Sequence, residues 1–279
     1  MRPDDISIST THTTSTQRQL SLFNIFIMHK NFVAAAALLS AVASGTPVHK
    51  RDVIGALPEG ADQLELKFQP HLDFDSDGCY QTSAIDPNGN VNPGHGATGT
   101  PQGDCRDPHQ LENSNTYSRK RCNNGFCAVM YEYYFEKDQA VGGSFLGGHR
   151  HDWENIVVFT QGDNVVRVAP SCHGKYDGAS NQFPIDGSSP LLVYHKDGAG
   201  THCFRFANDD DRNNPENPTG SFFRAPLVGW DNWPDVGLRD KMLQNWSGGV
   251  GPKLDDEFGN SLQAAAGDGV QGFDPFTDS

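Results

Sequence analysis

Gly148-His149-Arg150-His151-Asp152-Trp153-Glu154 crowds two carboxylates and two imidazoles into seven residues. Apolar Ile156-Val157-Val158-Phe159 follows closely, a run of β-branched and aromatic side chains that reads as a buried strand. The heptapeptide would then occupy the loop entering that strand and the strand's first residues. A two-residue period puts Asp152 and Glu154 on one face, with His151 and Trp153 on the other. His149, still on the loop, can fold over the carboxylate side. Carboxylates this close repel each other, and a divalent cation is the simplest species that relieves them. Glu136-Lys137-Asp138, upstream, could add another oxygen ligand. The plainer alternative is an ion-pair cluster of His149, Asp152 and Glu154 around Arg150, holding no ion. Arg150 and Trp153 also have structural readings: a guanidinium that satisfies loop carbonyls and an indole that fills a core.

Several strands are needed to position such a cluster, and the chain supplies candidates. Cys127–Phe135, rich in Tyr, Val and Phe, reads as a central strand. Ile156–Thr160, Val165–Ala169, Leu191–Tyr194 and Thr201–Ala207 read as further strands, and Asp163-Asn164 between two of them is a hairpin turn signal. Asp62–Phe68 is helical or extended. Asp235–Asn245 has helical spacing through Val236, Leu238, Met242 and Leu243, and Phe258–Ala266 reads as a last short helix before a Gly/Asp tail expected to fray. Residues 84–116 read as a long loop, and Asp209-Asp210-Asp211 as a solvated one. Short strands with few helices point to a mostly β fold, a single-domain antiparallel β-sandwich flanked by a few α-helices. Asp73-Phe74-Asp75-Ser76-Asp77-Gly78 imitates the start of a calcium loop, but Ala84 stands where such a loop needs a bidentate Glu, so a capped acidic turn is the expectation.

Acidic residues outnumber basic ones by 35 to 21 in a chain of 279 residues. Without residues 1–51, which carry five basic and two acidic side chains, the balance is 33 against 16. That charge argues against a nucleic-acid partner and against simple adhesion to anionic lipid. Residues 1–27 are polar and Ser/Thr-rich, and we expect them to be a non-native extension preceding a start at Met28. Residues 28–45 have the charge, apolar run and small-residue order of a signal peptide, with Ala41-Val42-Ala43 as its cleavage site. Residues 46–51 form a possible propeptide ending in Lys50-Arg51, which leaves residues 52–279 as the mature, secreted domain. Six cysteines suit that compartment. Cys122 and Cys127 enclose a tight Asn123-Asn124-Gly125-Phe126 turn; a four-ligand metal site is the alternative reading for this pair. Asn245-Trp246-Ser247 is the one glycosylation sequon.

The heptapeptide Gly148–Glu154 resembles the signature of the necrosis- and ethylene-inducing-protein-like (NLP) family, secreted microbial proteins that act on plant membranes. Ala128-Val129-Met130-Tyr131, Tyr134-Phe135-Glu136-Lys137-Asp138, Phe68-Gln69-Pro70, Gly78-Cys79, Ser171-Cys172-His173-Gly174-Lys175-Tyr176 and Pro252-Lys253-Leu254-Asp255-Asp256-Glu257-Phe258 also resemble family blocks. The likeness spans residues 53–267 and points to the longer, cysteine-richer branch. It implies a cytolysin- and fungal-lectin-like sandwich. It implies a divalent cation, Ca2+ or Mg2+, held by Asp138, His149, Asp152 and Glu154, although Val141-Gly142-Gly143 lengthens the spacing from Asp138 to His149. It pairs Cys79 with Cys105. Cys172 and Cys203 are then left to pair with each other, although six cysteines allow fifteen pairings and the resemblance supports only the first bridge.

The resemblance also places Asp86 and Asn90 among the positions lining a head-group cavity, or else as ordinary turn residues. His173, His195 and His202 are candidates for its rim, and Trp230 and Trp233 for either a lipid interface or a buried core. The implied partners are glycosylinositol phosphorylceramide sphingolipids in the outer leaflet of the plant plasma membrane. Ala128–Glu154 resembles the segment that plant immune receptors perceive. The function implied is a non-enzymatic, necrosis-inducing virulence toxin, expected to be a monomer. The alternatives are a non-lytic glycan-binding or elicitor protein, and a metal-dependent extracellular hydrolase built on His149-x-His151-Asp152 with His173 and His202 as further ligands.

Overall fold

The structure, a computed structural model, describes residues 52–278 except 144–146, 245 and 247–249. The expected extension, signal peptide and propeptide fall on residues 1–51 and lie outside the described residues, as do Asn245 and Ser247 of the sequon.

Helix α1 (Gln63–Lys67) begins at a capping box: the Asp62 side chain accepts from the amides of Leu64 and Glu65, and Glu65 reaches back to the Asp62 amide. Strand β1 (His71–Phe74) follows, then helix α2 (Pro108–Glu112). Four strands then run as an antiparallel meander: β2 (Thr116–Asn123), β3 (Phe126–Gln139), β4 (Gly148–Gln161) and β5 (Asn164–Pro170). The β2–β3 connection is a two-residue turn at Asn124 and Gly125, with φ of 50° and 80°, the geometry a tight hairpin requires. Strand β6 (Ile185–Asp186) makes a hairpin with β7 (Ser189–Lys196), and β8 (His202–Phe206) pairs with β7 on its way to helix α3 (Asp209–Asn213). Strand β9 (Leu227–Gly229), helix α4 (Val236–Gln244) and helix α5 (Phe258–Ala266) complete the order.

These strands form two sheets. One has the order β5-β4-β3-β2-β9; the other joins β1, β7 and β6, with β8 also on β7. The expected sandwich is present, and each sheet adds one parallel pair to its antiparallel ladder: β2 with β9, and β1 with β7. Val129, Tyr131, Tyr133 and Phe135 of β3, with Ile156 and Val158 of β4, pack between the sheets on Phe74, Leu192, Tyr194 and Phe204. The opposite face of β3 and β4 carries Met130, Tyr134, Trp153, Val157 and Phe159, covered by Phe258, Leu262 and Ala265 of α5 and Met242 of α4. Both faces of the central strands are therefore buried, which is why they read as continuous apolar runs and not as alternations.

All three disulfides form: Cys79–Cys105, Cys122–Cys127 and Cys172–Cys203. Other expectations need correcting. The long loop at residues 84–116 contains α2, started by a second capping box between Asp107 and Gln110 with proline in the first turn. Asp209–Asp211 is not loop but the first turn of α3, capped by Asn208, and Asp211 pairs with Arg205. The tail after α5 is not frayed. Asn123 Nδ2 donates to the carbonyls of Asp274 (2.7 Å) and Thr277 (2.6 Å), and the Cys122 amide donates to Asp278 Oδ1 at 3.0 Å. Phe273 meets Phe159 edge-on at 5.5 Å. Asp73, Asp75 and Asp77 form no common pocket: Asp73 accepts from the amides of Glu216 and Asn217, and Asp75 pairs with Arg205. The acidic turn reading holds there. Trp230 is sandwiched between the guanidiniums of Arg119 and Arg239, each 4.2 Å from its ring, and Trp233 stacks on Tyr117 at 5.6 Å. Both indoles are committed to packing.

Candidate metal centre

The heptapeptide lies wholly within β4, so His149 is a strand residue and not a loop residue. It faces Asp138 across the β3–β4 ladder, while Asp152 faces Phe135. Between these pairs Glu136 and His151 have no partner in the register, and His151 adopts a left-handed φ of 62°. That interruption shifts the pleat by one residue. A regular ladder would put the Asp138–His149 pair and the Phe135–Asp152 pair on opposite faces. The interrupted one lets Asp138, His149 and Asp152 converge, with one ligand atom from each within 4.8 Å of the others. Gly94 is what accommodates the kink: a Cβ there would lie 2.6 Å from His151 Nδ1 and 2.8 Å from the Glu136 carbonyl oxygen. Nothing in the local sequence announces this, because a non-glycine residue at positive φ is uncommon.

Each member of the trio is oriented by a neighbour. His149 Nδ1 lies 2.6 Å from the His151 carbonyl oxygen, which can only accept, so Nδ1 carries the proton and Nε2 keeps its lone pair for a metal. The Tyr194 hydroxyl donates to Asp152 Oδ2 at 2.8 Å, and Tyr194 itself is clamped flat against Phe135 at 3.7 Å. Asp138 accepts from the His202 amide at 2.9 Å and from His202 Nδ1 at 2.7 Å. His202 is 2% exposed, so it backs Asp138 and does not stand on a solvent-facing rim. Burial disfavours charge on His202, but the hydrogen bond and charge of Asp138, helped by Asp77 and Asp152, outweigh it and raise its pKa.

Glu154 is buried beside the trio but outside it, its carboxylate accepting from the Ser171 hydroxyl. Burial, and then the charge of Asp138, push the Asp152 carboxyl up to about 7 against the pull of His149, Tyr194 and His202. Burial and the charge of Asp152 push Glu154 well above the carboxylate range, with Ser171 pulling the other way. These are carboxyls resisting ionisation in a crowd of their own sign, the condition a bound cation relieves. The donor set fits a hard divalent ion: buried carboxylate oxygens, one imidazole and room on the partly exposed His149 side for water.

The other motif residues are structural. Arg150 Nη1 donates to the carbonyls of Pro93 and Gly94, both at 2.9 Å. Trp153 packs among Tyr117, Tyr134 and Trp246. His151 sits 2.7 Å from the Tyr134 hydroxyl, and burial followed by Arg150 pushes it down to about 4, leaving it neutral. Asp86 and Asn90 close a turn on themselves: Asp86 Oδ1 accepts from the amides of Asn88 and Asn90, and Asn90 Nδ2 donates to Asp86 Oδ2 at 2.8 Å. His173 is exposed and 3.0 Å from Asp197. Cys172, His173, Asp197 and Cys203 also cluster, but the cysteines are joined as a disulfide and offer no thiolate. His195, half-buried, lies 3.9 Å from Cys203 Sγ. Sequence reasoning missed Tyr194 and Ser171 as orienting groups, since Tyr194 reaches the cluster from β7 and Ser171 from the turn after β5.

A two-sheet sandwich with a buried acid–imidazole cluster at the β3–β4 ladder defines the class, a mostly β protein with a candidate metal centre. The family model for Necrosis inducing protein (NPP1) matches residues 62–265, and the chain belongs to that family. It is 34% identical over 172 residues, 58% of this chain and 70% of the relative, to the necrosis-inducing protein NPP1 of Phytophthora nicotianae. Among solved structures it is similar to necrosis and ethylene inducing protein 2 from the causal agent of cocoa's witches' broom disease, with a TM-score of 0.64, 30% identity and coverage of 76% of this chain and 94% of that one. It is likewise similar to NLPPya in complex with mannosamine, with a TM-score of 0.62, 29% identity and coverage of 76% and 95%.

Proposed function

We propose that the protein is a secreted, non-enzymatic necrosis-inducing effector whose Asp138, His149, Asp152 and Glu154 hold Ca2+ or Mg2+ and so present a head-group site for plant glycosylinositol phosphorylceramides. The observation that carries this reading is the convergence of Asp138, His149 and Asp152 at the interrupted β3–β4 ladder. When bound, the cation supplies a positive site for hydroxyl or phosphate oxygens in an otherwise acidic protein. The chain's own residues fix the ligands: Tyr194 holds Asp152, His202 holds Asp138, and the His151 carbonyl sets the tautomer of His149. Asp86, Asn90 and His173 contribute to the surrounding cavity in this reading, with His202 acting from behind Asp138. Head-group capture precedes disruption of the plasma membrane, cell death and ethylene and immune responses, the last through perception of Ala128–Glu154.

Dye leakage from vesicles made of plant plasma-membrane lipid tests this, with calcium or chelator, for the wild type and Asp152→Ala. Leakage that needs both the metal and Asp152 is expected. Intact vesicles with folded, metal-loaded wild type would sink the lytic reading and leave a non-lytic binding or elicitor role.

A further inference from the structure

Two of the groups that support the metal centre stand next to cysteines that are joined to each other. Ser171, which donates to Glu154, precedes Cys172, and His202, which backs Asp138, precedes Cys203. The two segments belong to different sheets. Ser171 leaves the end of β5 in the five-stranded sheet, and His202 opens β8 in the other. Their joint is made by a backbone hydrogen bond, from the Phe204 amide to the Ser171 carbonyl at 3.1 Å, and by the Cys172–Cys203 bridge.

That joint reaches most of the cluster. The His202 ring bonds Asp138 and also stacks on Tyr194 at 5.3 Å, and Tyr194 in turn holds Asp152. Ser171 Oγ accepts from the Asn155 amide at 2.8 Å while donating to Glu154, so it is fixed to two consecutive residues of β4. A crosslink one residue from each support restrains both at once. Groups in this outer layer change metal affinity by about ten- to a hundredfold when they are lost. The Cys122–Cys127 bridge has no such placement, because it closes the β2–β3 hairpin at the opposite end of β3 from Asp138.

The two bridged sulfurs differ in access. Cys203 is fully buried, whereas Cys172 is half-buried and lines a cavity of about 430 Å3 with His173, Lys175 and Asp197. An attacking thiolate therefore reaches Cys172 Sγ more readily than Cys203 Sγ. Attack there forms a mixed disulfide at Cys172 and releases Cys203 as the thiolate. The second thiol of a dithiol then displaces Cys172 and closes the reductant's own disulfide. Two electrons and two protons pass from the dithiol to the two cysteines, so the exchange balances with no other reactant.

We propose that Cys172–Cys203 is a positioning crosslink of the metal centre, and that a dithiol reductant, by opening it, lowers the centre's affinity for its cation. This rests on the reading of Asp138, His149, Asp152 and Glu154 as cation ligands. Calorimetric titration with calcium, a hard ion for which new thiols are poor ligands, tests it. Cys172→Ala/Cys203→Ala, checked for fold by near-ultraviolet circular dichroism, should bind calcium at least tenfold more weakly than the wild type. Cys122→Ala/Cys127→Ala should keep the wild-type affinity even where its melting temperature falls, a separation that a merely structural role would not produce. Should the first variant fail to fold, wild type treated with dithiothreitol under native conditions replaces it. Affinity should then fall in step with alkylation of Cys172 and return on reoxidation of uncapped protein. Folded protein without the crosslink but with wild-type affinity, an equal loss in the hairpin variant, or unfolding whenever the bridge opens would each overturn the proposal and leave the metal reading intact. A Cys172–Cys203 pair that dithiothreitol cannot open in the folded protein overturns its reductive half. Wild type that binds neither calcium nor magnesium overturns both readings.

Discussion

Asp152 stands where burial, a like charge and a hydroxyl donor meet, and its substitution separates metal binding from folding. Calcium at a hundredfold over its dissociation constant should stabilise the wild type by about 2.7 kcal/mol. Asp152→Asn keeps a group that can accept from Tyr194 but removes one of the charges a cation needs. Its melting temperature without metal should equal or exceed that of the wild type, and the calcium-dependent rise should vanish; differential scanning calorimetry with and without chelator reads both. At this scale the sequence was informative about which side chains matter and silent about their partners. Asp138, His149 and Asp152 were legible from residue type and from resemblance. Tyr194 and His202 were not legible as their supports, because a pairing between β3 or β4 and the β7–β8 hairpin is a tertiary fact with no local trace.

The β3–β4 ladder shows how an element places a site that its period alone would scatter. Gly94 abuts the kink at His151, with a φ of 59° of its own. Gly94→Ala should therefore cost about 2 kcal/mol or more, through a backbone clash as well as an unfavourable φ. Gly99, with a φ of 73° and open space where its Cβ would lie, is the control: Gly99→Ala should cost about 1 kcal/mol. Urea midpoints distinguish the two, and only Gly94→Ala should also blunt the calcium-dependent stabilisation. Most strands were readable from their apolar runs. β9, three residues long and paired in parallel, carries too little pattern to read. α2 and α3 are five residues each, yet their capping boxes at Asp107–Gln110 and Asn208–Asp211 are local signals that could have found them.

Across the whole molecule, buried acids set the response to pH. Burial pushes Glu65 up to about 7 and Glu132 to about 8, in each case over opposing hydrogen bonds, from Ser118 and from the Lys253 amide respectively. A carboxyl whose folded pKa lies above its unfolded value near 4.5 contributes stability that is complete below the unfolded value and is lost as pH rises through the folded one. With calcium held saturating, the melting temperature should fall between pH 5 and 8. Glu132→Gln, which can still accept from the Lys253 amide, should remove part of that fall, worth on the order of a few kcal/mol at pH 8, and change little at pH 5. A fall identical in the variant would show that Glu132 is not its source.

The segment after α5 has a consequence for how the chain must be made. Arg121 and Asn123 of β2 are bonded to carbonyls of residues 274–277, and Phe273 closes over Phe159 near the C-terminal end of β4. At the other end, Gly60 bridges to Val228 of β9. Residues far apart in the chain are therefore stitched into the same sheet, and a nascent chain cannot finish that sheet's outer face before residues 273–278 have been made. The order in which these residues are translated cannot be the order in which that face is completed: β2 waits for a segment that follows it by 151 to 154 residues.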